Sequence, residues 1–248
     1  MNRSAFYAAL RRRGSGGTSL SKGQVAGIEA ILDEGQRRGL TVQHLAAVLS
    51  ESHHETGGMM QPLEENLNYS AKRLTQVWPS RFPTIAAAAP YANNPRKLAN
   101  KVYGGRLGNT GPDDGWTFRG RGLAQITGKA NYVKFGLAGT PDKAHDMATA
   151  IRILFDGMTD GVFTGKRLAN YDAPEGYRYA ASRAIINGDV KANGARIEKY
   201  GRAYEAALRE AGYVPGVVTP TTPTAPAGGG FWAALGRFLL ALIKGGKK

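Results

Sequence analysis

The stretch His44–Ser70, HLAAVLSESHHETGGMMQPLEENLNYS, decides how this chain folds. Apolar residues recur in its first part at helical spacing, and Thr41 just ahead of it is a candidate N-cap. The pattern therefore predicts a helix with one face in a core. Gly57 and Gly58 should end this helix, because glycine readily takes the left-handed conformation that closes helices. Glu55 is thereby placed at the C-terminal end of the helix.

Acidic residues occupy two places in this stretch, Glu55 and the pair Glu64 and Glu65. The C-terminal end of a helix disfavours an ionised carboxylate by about 0.3–1 kcal/mol, and apolar neighbours would raise the pKa of Glu55 further. The Gln-Pro pair at 61–62 interrupts the helix, so the chain should turn back and set a second carboxylate across a cleft. Glycosidic bond cleavage needs two such carboxylates, one as acid and one to activate water or attack carbon.

Three strings in the chain carry a resemblance to a known family. HHETGGMMQPLEENLNYSA, FRGRGLAQITGKANY and AIINGD, in this order, resemble the family 19 glycoside hydrolases, the chitinases and phage endolysins with a lysozyme-like fold. The resemblance extends over most of residues 20–212. It implies a mainly α, two-lobed domain with a small β or irregular lobe. It also implies hydrolysis of β-1,4 bonds between N-acetylated amino sugars with inversion.

The resemblance implies a role for each candidate catalytic residue. The glutamate of the HETGG string is the general acid, so this role falls on Glu55. The general base precedes the NLNYS segment in endolysin-like members, which selects Glu65. Counting from the first acid in members with a shorter connection selects Glu64 instead, and this residue is held in reserve. The hydroxyl of Thr127 would help to hold the attacking water, although a threonine here could also cap a helix beginning near residue 129.

Four further residues would bind substrate according to the same resemblance: Gln125, Asn131, Asn187 and Arg196. Asp189 stands where the family has the second glycine of its INGG string. Each of the four also has a structural interpretation. Gln125 and Asn131 could be ordinary hydrogen-bonding residues, Asn187 precedes a glycine as in many turns, and Arg196 could be a solvated helix cation.

Composition bounds the class of protein. The 248 residues include no cysteine, so no disulfide or thiolate metal site is possible. The two adjacent histidines at 53–54 do not complete the HExxH pattern, since residue 58 is glycine, and no GK[ST] phosphate loop occurs. We expect no metal, no cofactor and no nucleic-acid partner. The formal net charge of +14 predicts attraction to polyanions, including anionic lipid and the polymers of a bacterial wall.

The sequence predicts three parts. Residues 1–213 would form the catalytic domain, and 214–230, rich in Pro, Thr and Gly, a linker. Residues 231–248 would form a cationic amphipathic helix whose apolar part spans only about 20 Å, short of a bilayer core of about 30 Å. This helix should lie in a membrane interface or against lipopolysaccharide, with contacts from Trp232, Arg237, Lys244, Lys247 and Lys248.

Within the first part, helices are expected over 4–13, 21–38, 70–77, from about 129, and over 142–158, 174–186 and 193–211. The glycine-dense segment 104–122 should be irregular or a hairpin, and in a lysozyme-like fold it would be the β lobe beside the cleft. The N-terminus lacks the apolar core of a signal peptide, so we expect synthesis in a host cytoplasm and action in the periplasm or cell wall.

Together these features predict a monomeric, endolysin-like muramidase of a bacterial virus that acts on peptidoglycan. A chitinase acting on N-acetylglucosamine polymer is the alternative within the same family. An inactive wall-binding or membrane-disrupting protein is the alternative from another class.

Overall fold

The computed structural model of this protein describes residues 1–14 and 19–216, which form mainly helix with one small sheet. The mainly α fold class predicted from the sequence is confirmed. The helices are α1 Arg3–Arg12, α2 Lys22–Arg37, α3 Val42–Glu55, α4 Ala71–Val77, α5 Ile85–Ala88, α6 Pro95–Tyr103, α7 Asp114–Thr117, α8 Lys129–Lys134, α9 Met147–Thr159, α10 Tyr179–Ser182 and α11 Val190–Glu210. Short 3-10 turns cover Ala89–Tyr91, Pro141–His145, Leu168–Tyr171 and Arg183–Ile185.

The central helix α3 begins and ends where its sequence dictates. The hydroxyl of Thr41 accepts a hydrogen bond from the backbone N–H of His44 at 3.1 Å, which satisfies one of the free donors of the first turn. Gly57 and Gly58 follow the last turn with φ of 58° and 85°, a backbone region that costs other residues energy. Glu55 is the last residue of α3, as predicted.

The large apolar core surrounds α3. Leu45, Val48 and Leu49 are fully buried, and α3 packs along the long C-terminal helix α11 and also contacts α2 and α9. Helix α1 lies against α11 as well, where the N–H of Asn2 donates to the carbonyl of Ala211 at 2.8 Å. Because α3 is enclosed on several sides, the acidic residues near its end are held in a fixed protein environment.

A second apolar cluster forms a smaller lobe, which we call the small lobe and define as residues 66–112. Its buried members come from α4, α5, α6 and the segments beside them: Leu67, Leu74, Phe82, Ala88, Leu98, Ala99 and Val102. A third cluster lies around α8 and includes Phe118, Ile126, Tyr132, Phe135, Leu137, Ala144 and Ile153. The second lobe is thus mainly helical, whereas the sequence placed a β or irregular lobe at 104–122.

The sheet is minimal. Strand β1, Leu63–Glu64, pairs antiparallel with β2, Arg121–Gly122, so that Leu63 lies opposite Gly122 and Glu64 opposite Arg121. The glycine-dense segment contributes β2 and the short helix α7 and is otherwise irregular. This pairing brings the second acidic place of the sequence beside the FRGRGLAQIT string.

Some element bounds differ from the prediction. The helix expected over 174–186 is reduced to α10 and a 3-10 turn, since Gly176 at φ 121° keeps the preceding residues out of helix. Pro141 begins a 3-10 turn, and α9 starts only after it. Helix α11 begins at Val190, ahead of the expected residue 193.

All described residues belong to one compact unit, Met1–Val218. Within 1–14 and 19–216, no helix combines the length and apolarity that crossing a bilayer requires. The predicted cationic helix at 231–248 and most of the predicted linker lie outside the described residues.

Candidate active site

Glu55 lies in a charged and mostly enclosed position at the end of α3. Its side chain is 15% exposed, and its Oε1 accepts a hydrogen bond from Nη1 of Arg183 at 2.5 Å. Burial raises the pKa of Glu55 and Arg183 lowers it, and the net result is a pKa above the ordinary value for a glutamate. Its Oε2 makes no hydrogen bond to the described residues. The carboxyl is thus anchored by one oxygen, and the other remains for a proton.

Arg183 joins Glu55 to two other acids. The same Nη1 donates to Glu51 Oε2 at 2.7 Å, and Nε donates to Asp189 Oδ1 at 2.7 Å. Three carboxyl groups therefore surround one guanidinium whose side chain is only 3% exposed. Like charges so close in a protein interior disfavour full ionisation, so the cluster favours retention of a proton.

Glu51 is the buried member of this cluster. It lies one helical turn before Glu55 on α3, is fully buried, and its Oε1 has no hydrogen-bond partner among the described residues. Burial raises the pKa of Glu51 to about 8, although Arg183 opposes the shift. Glu51 is therefore the carboxyl in this cluster that holds a proton most readily, and the sequence prediction did not include it.

Asp189 is half-buried and is the most exposed of the three acids, with its side chain 31% exposed. Hydrogen bonding from Arg183 lowers the pKa of Asp189, and Asn193 Nδ2 adds a second hydrogen bond to Oδ2 at 2.7 Å. The family that the sequence resembles has glycine at this position. The departure from the family pattern thus supplies an ionised group that binds Nε of Arg183, whereas the two glutamates of α3 bind Nη1.

Glu64, the reserve candidate for the second acid, is engaged in ion pairs. Its two oxygens lie 2.7 Å from Arg119 Nη2 and 2.8 Å from Arg121 Nε. Partial burial raises the pKa of Glu64, but the two guanidinium groups lower it more, so the net shift is downward. This carboxylate is occupied in pairing with the two arginines.

Glu65 has different surroundings. Tyr103 of α6 donates its hydroxyl to Oε1 at 2.6 Å, and the N–H of Gly120 donates to Oε2 at 3.2 Å. The N–H of Glu65 in turn donates to the carbonyl of Gly120 at 2.8 Å. No basic side chain among the described residues forms an ion pair with Glu65. Both oxygens are oriented by neutral donors, an arrangement suited to a proton acceptor.

Gly120 marks where the predicted residues of the second group meet. A Cβ placed on Gly120 would lie 3.1 Å from Gln125 Oε1, 3.2 Å from Thr127 Oγ1 and 3.3 Å from the Cβ of Glu65. These three side chains therefore surround the same glycine. The structure brings together Glu65 and Thr127, the residues assigned to activate and hold water.

The polar partners of Thr127 are local. Its hydroxyl donates to the carbonyl of Gln125 at 3.1 Å and does not cap α8, whose N-cap residue is Gly128 without a side-chain cap. The helix-cap interpretation of Thr127 was therefore wrong. Gln125 has φ of 48°, and its Nε2 donates to the carbonyls of Leu63 and Gly122 at 2.8 and 2.9 Å. Asn131 Nδ2 donates to the carbonyl of Thr127 at 2.8 Å. Gln125 and Asn131 thus fix the backbone around Thr127.

The two remaining predicted residues lie with the Arg183 cluster. Asn187 is exposed and lies four residues after Arg183. Its backbone N–H donates to the carbonyl of Arg183 at 3.0 Å. Arg196 is exposed on α11. Its charge acts on His54 together with that of Arg183: burial lowers the pKa of His54, and the two arginines lower it further. The site residues therefore fall into two groups, one around Arg183 and one around Gly120, joined by the chain from Gly57 to Glu65.

His53 has a structural position. Its Nδ1 lies 2.9 Å from the Tyr204 hydroxyl, and its ring packs 4.2 Å from that of Tyr200. Burial lowers the pKa of His53 to about 4, so the ring is neutral near physiological pH. His53, two residues before the candidate acid, thus packs α3 against α11.

Comparison with known proteins gives a partial match. No family model matches it. Among curated proteins, a glycosyl hydrolase family 19 domain-containing protein of Haemophilus influenzae is 46% identical over 92 residues, which are 36% of this chain and 46% of that relative. The chain therefore matches somewhat less than half of the relative's length. Over the matched segment, the chain is similar to a protein named for its glycosyl hydrolase family 19 domain, which agrees with the resemblance predicted from its motifs.

Proposed function

We propose that this protein is a glycoside hydrolase that cleaves β-1,4 bonds of bacterial peptidoglycan with inversion, as an endolysin-like muramidase of a bacterial virus. The observation that carries the proposal is the grouping of Glu65 and Thr127 around Gly120, with the Glu65 carboxylate oriented by Tyr103 and Gly120. The family 19 relative supports glycoside hydrolysis as the class of reaction.

Glu55 acts as the general acid in this proposal. Its pKa is above the ordinary value, mainly through burial, which favours the protonated form that a general acid needs. Arg183 holds Oε1, so the proton resides on Oε2 and is given to the leaving glycosidic oxygen. Charge that develops on Glu55 as it loses the proton is then stabilised by the guanidinium already in contact with it.

Glu65 acts as the general base. It takes a proton from a water that the hydroxyl of Thr127 helps to hold, and that water attacks the anomeric carbon from the face opposite the leaving group. In inverting glycosidases the two carboxyl groups stand about 6.5–9.5 Å apart, which leaves room for the water. The pairing of Glu64 with two arginines supports Glu65 rather than Glu64 in this role.

Purified peptidoglycan tests the reaction and its residues together. The parent chain should clear a wall suspension, and Glu55→Gln and Glu65→Gln should each lose about 10²–10⁴-fold in rate. Glu64→Gln is the matched control because it removes the neighbouring charge, and it should keep most of the activity. A Glu55→Gln variant that clears walls as fast as the parent would favour the non-enzymatic alternative, and an inactive Glu64→Gln beside an active Glu65→Gln would return the base to Glu64.

Fragment analysis by mass spectrometry identifies the bond. A muramidase leaves N-acetylmuramic acid at the new reducing end. Release of N-acetylglucosamine ends, together with faster cleavage of plain N-acetylglucosamine polymer, would instead assign the chain to the chitinases.

The C-terminal residues extend the proposal. Residues 231–248 contain four Lys and Arg and no Asp or Glu, together with a phenylalanine- and leucine-rich apolar set. We assign to them contact with anionic membrane or lipopolysaccharide, which brings the enzyme to its substrate in the periplasm or wall.

A further inference from the structure

The small lobe has an unusual charge distribution. Residues 66–112 contain no Asp or Glu and seven Lys and Arg: Lys72, Arg73, Arg81, Arg96, Lys97, Lys101 and Arg106. Within the described residues only Arg96 of these seven forms an ion pair, with Asp113 just beyond the lobe. The remaining six are therefore available to an anionic partner, and five of them are exposed.

An apolar projection lies within this cationic lobe. We call it the α5 tip and define it as residues 83–90, PTIAAAAP. All of its residues except Ala88 are exposed. Ile85, its largest aliphatic residue, is 57% exposed. Ala88 is buried in the small-lobe cluster and anchors the tip. Exposed apolar surface on a structured element costs free energy in water unless a partner covers it.

Cations lie on the elements that adjoin the α5 tip. Helix α4, which carries Lys72 and Arg73, packs against α5. Tyr91 immediately follows the tip, and the ammonium groups of Lys97 and Lys101 lie 5.2 and 5.9 Å from the centre of its ring. The apolar tip thus has positive charge on the helix before it and on the helix after it.

We propose that the α5 tip and its flanking cations form a docking surface for an anionic lipid bilayer. Apolar residues of the tip would enter the headgroup region, and the lysines and arginines around it would meet lipid phosphates. An anionic polysaccharide or nucleic acid would use the cations but leave the apolar tip exposed to water, so the combination favours a lipid surface. A short tip with one large aliphatic side chain gives shallow and reversible contact.

This surface is separate from the candidate catalytic residues. Lys97 and Lys101 are four residues apart and share one face of α6, whereas Leu98 and Val102 are buried on another face. Tyr103 reaches Glu65 from a third direction on the same helix. The docking surface therefore does not rest on the proposed hydrolysis, and its test uses no activity measurement.

A pair of single-cysteine variants tests insertion of the tip. The chain has no cysteine, so Ile85→Cys and Val133→Cys each carry one unique attachment point for an environment-sensitive dye. Val133 on α8 is the matched control, since it is an exposed aliphatic residue with the same 57% accessibility. Both full-length variants are mixed with vesicles of phosphatidylglycerol or of phosphatidylcholine.

We expect a blue shift of the dye at residue 85 with phosphatidylglycerol vesicles and little change at residue 133. Vesicle binding through another part of the chain would not move the two dyes differently in this way. An unchanged emission at residue 85, or equal shifts at both residues, would overturn the proposal.

Charge removal gives a second, independent measurement. The double variant Lys97→Gln, Lys101→Gln should weaken binding to phosphatidylglycerol vesicles, by up to about fivefold for each lysine. Lys22→Gln, Lys143→Gln is the matched control, because both lysines are exposed and neither forms an ion pair with a described residue. Equal weakening in the two double variants would mean that net charge alone governs binding, which contradicts a docking surface on the small lobe.

Discussion

Arg183 Nη1 lies 2.5 Å from Glu55 Oε1, and this contact ties the candidate acid to a cluster of charges rather than to one partner. The same guanidinium also donates to the fully buried Glu51 and to the half-buried Asp189. The proton on Glu55 is therefore governed by the balance of three carboxyl groups around one cation.

Replacing Asp189 by asparagine should move the pH profile of wall hydrolysis. Burial is the main cause of the raised pKa of Glu55, and the charge of Asp189 raises it further. Without that charge the pKa of Glu55 falls, and the acid loses its proton at lower pH. The alkaline limb of the rate profile should therefore shift to lower pH in Asp189→Asn. Asp160→Asn, which neutralises an exposed aspartate elsewhere, should leave the limb in place; a shift in both variants would point to a general charge effect.

Replacing Glu51 by glutamine should change how stability depends on pH. Burial raises the pKa of Glu51 from an ordinary 4.5 to about 8. Between these values the folded chain keeps a proton that the unfolded chain has released, so rising pH favours unfolding. The stabilisation is complete below the ordinary pKa and is lost as pH rises through about 8.

Glutamine cannot release this proton, so Glu51→Gln should lose less unfolding free energy than the parent between about pH 5 and about pH 8. Denaturant unfolding of both chains at the two pH values measures the difference, in which the titrating groups outside the Arg183 cluster cancel. Equal losses in the two chains would show that Glu51 is ionised in the folded state.

Gly120 should tolerate no larger residue without a cost in activity. A methyl group there would lie within 3.3 Å of atoms of Gln125, Thr127 and Glu65, so these side chains must move. Displacements of about 1 Å at a catalytic site can cost roughly 10²-fold in rate. Gly120→Ala should thus lose rate by roughly tenfold or more. Gly139→Ala is the control, since nothing lies within 4 Å of its Cβ position, and the two variants are compared by wall clearing and thermal unfolding.

Deleting residues 231–248 should separate two substrates. The four cations and the apolar set removed by the deletion are the groups assigned to membrane or lipopolysaccharide contact. Clearing of isolated peptidoglycan should persist, while lysis of intact cells that have an outer membrane should fall. Equal loss on both substrates would mean that the segment contributes to the folded catalytic domain.

Local signals in the sequence predicted much of the fold. The Thr41 cap, the apolar spacing and Gly57 define α3 within two residues, because caps and periodicity act over one or two turns. The helix expected over 174–186 failed for a local reason as well, since Gly176 takes a backbone conformation that helix excludes.

The charged cluster could not be predicted in this way. Arg183 is 128 residues from Glu55 and 132 from Glu51, so its contacts depend on how α3 meets the chain before α11. One signal was present: Glu51 is an acid one turn before Glu55, and it closely follows the apolar run at residues 45–49 of α3. A buried charge in such a position requires a partner. The aspartate at 189, where the family has glycine, was a second signal of the same charged cluster.

The carboxylate of Glu65 is restrained by two parts of the molecule that fold around different apolar clusters. Its phenol donor, Tyr103, packs with the small lobe, and its amide donor, Gly120, follows Phe118 of the third cluster. The carboxylate of Glu65 is thus oriented only while both of these parts are folded. Local unfolding of the small lobe alone would release Oε1 of Glu65 from Tyr103 and abolish activity, even with the α3–α11 core still intact.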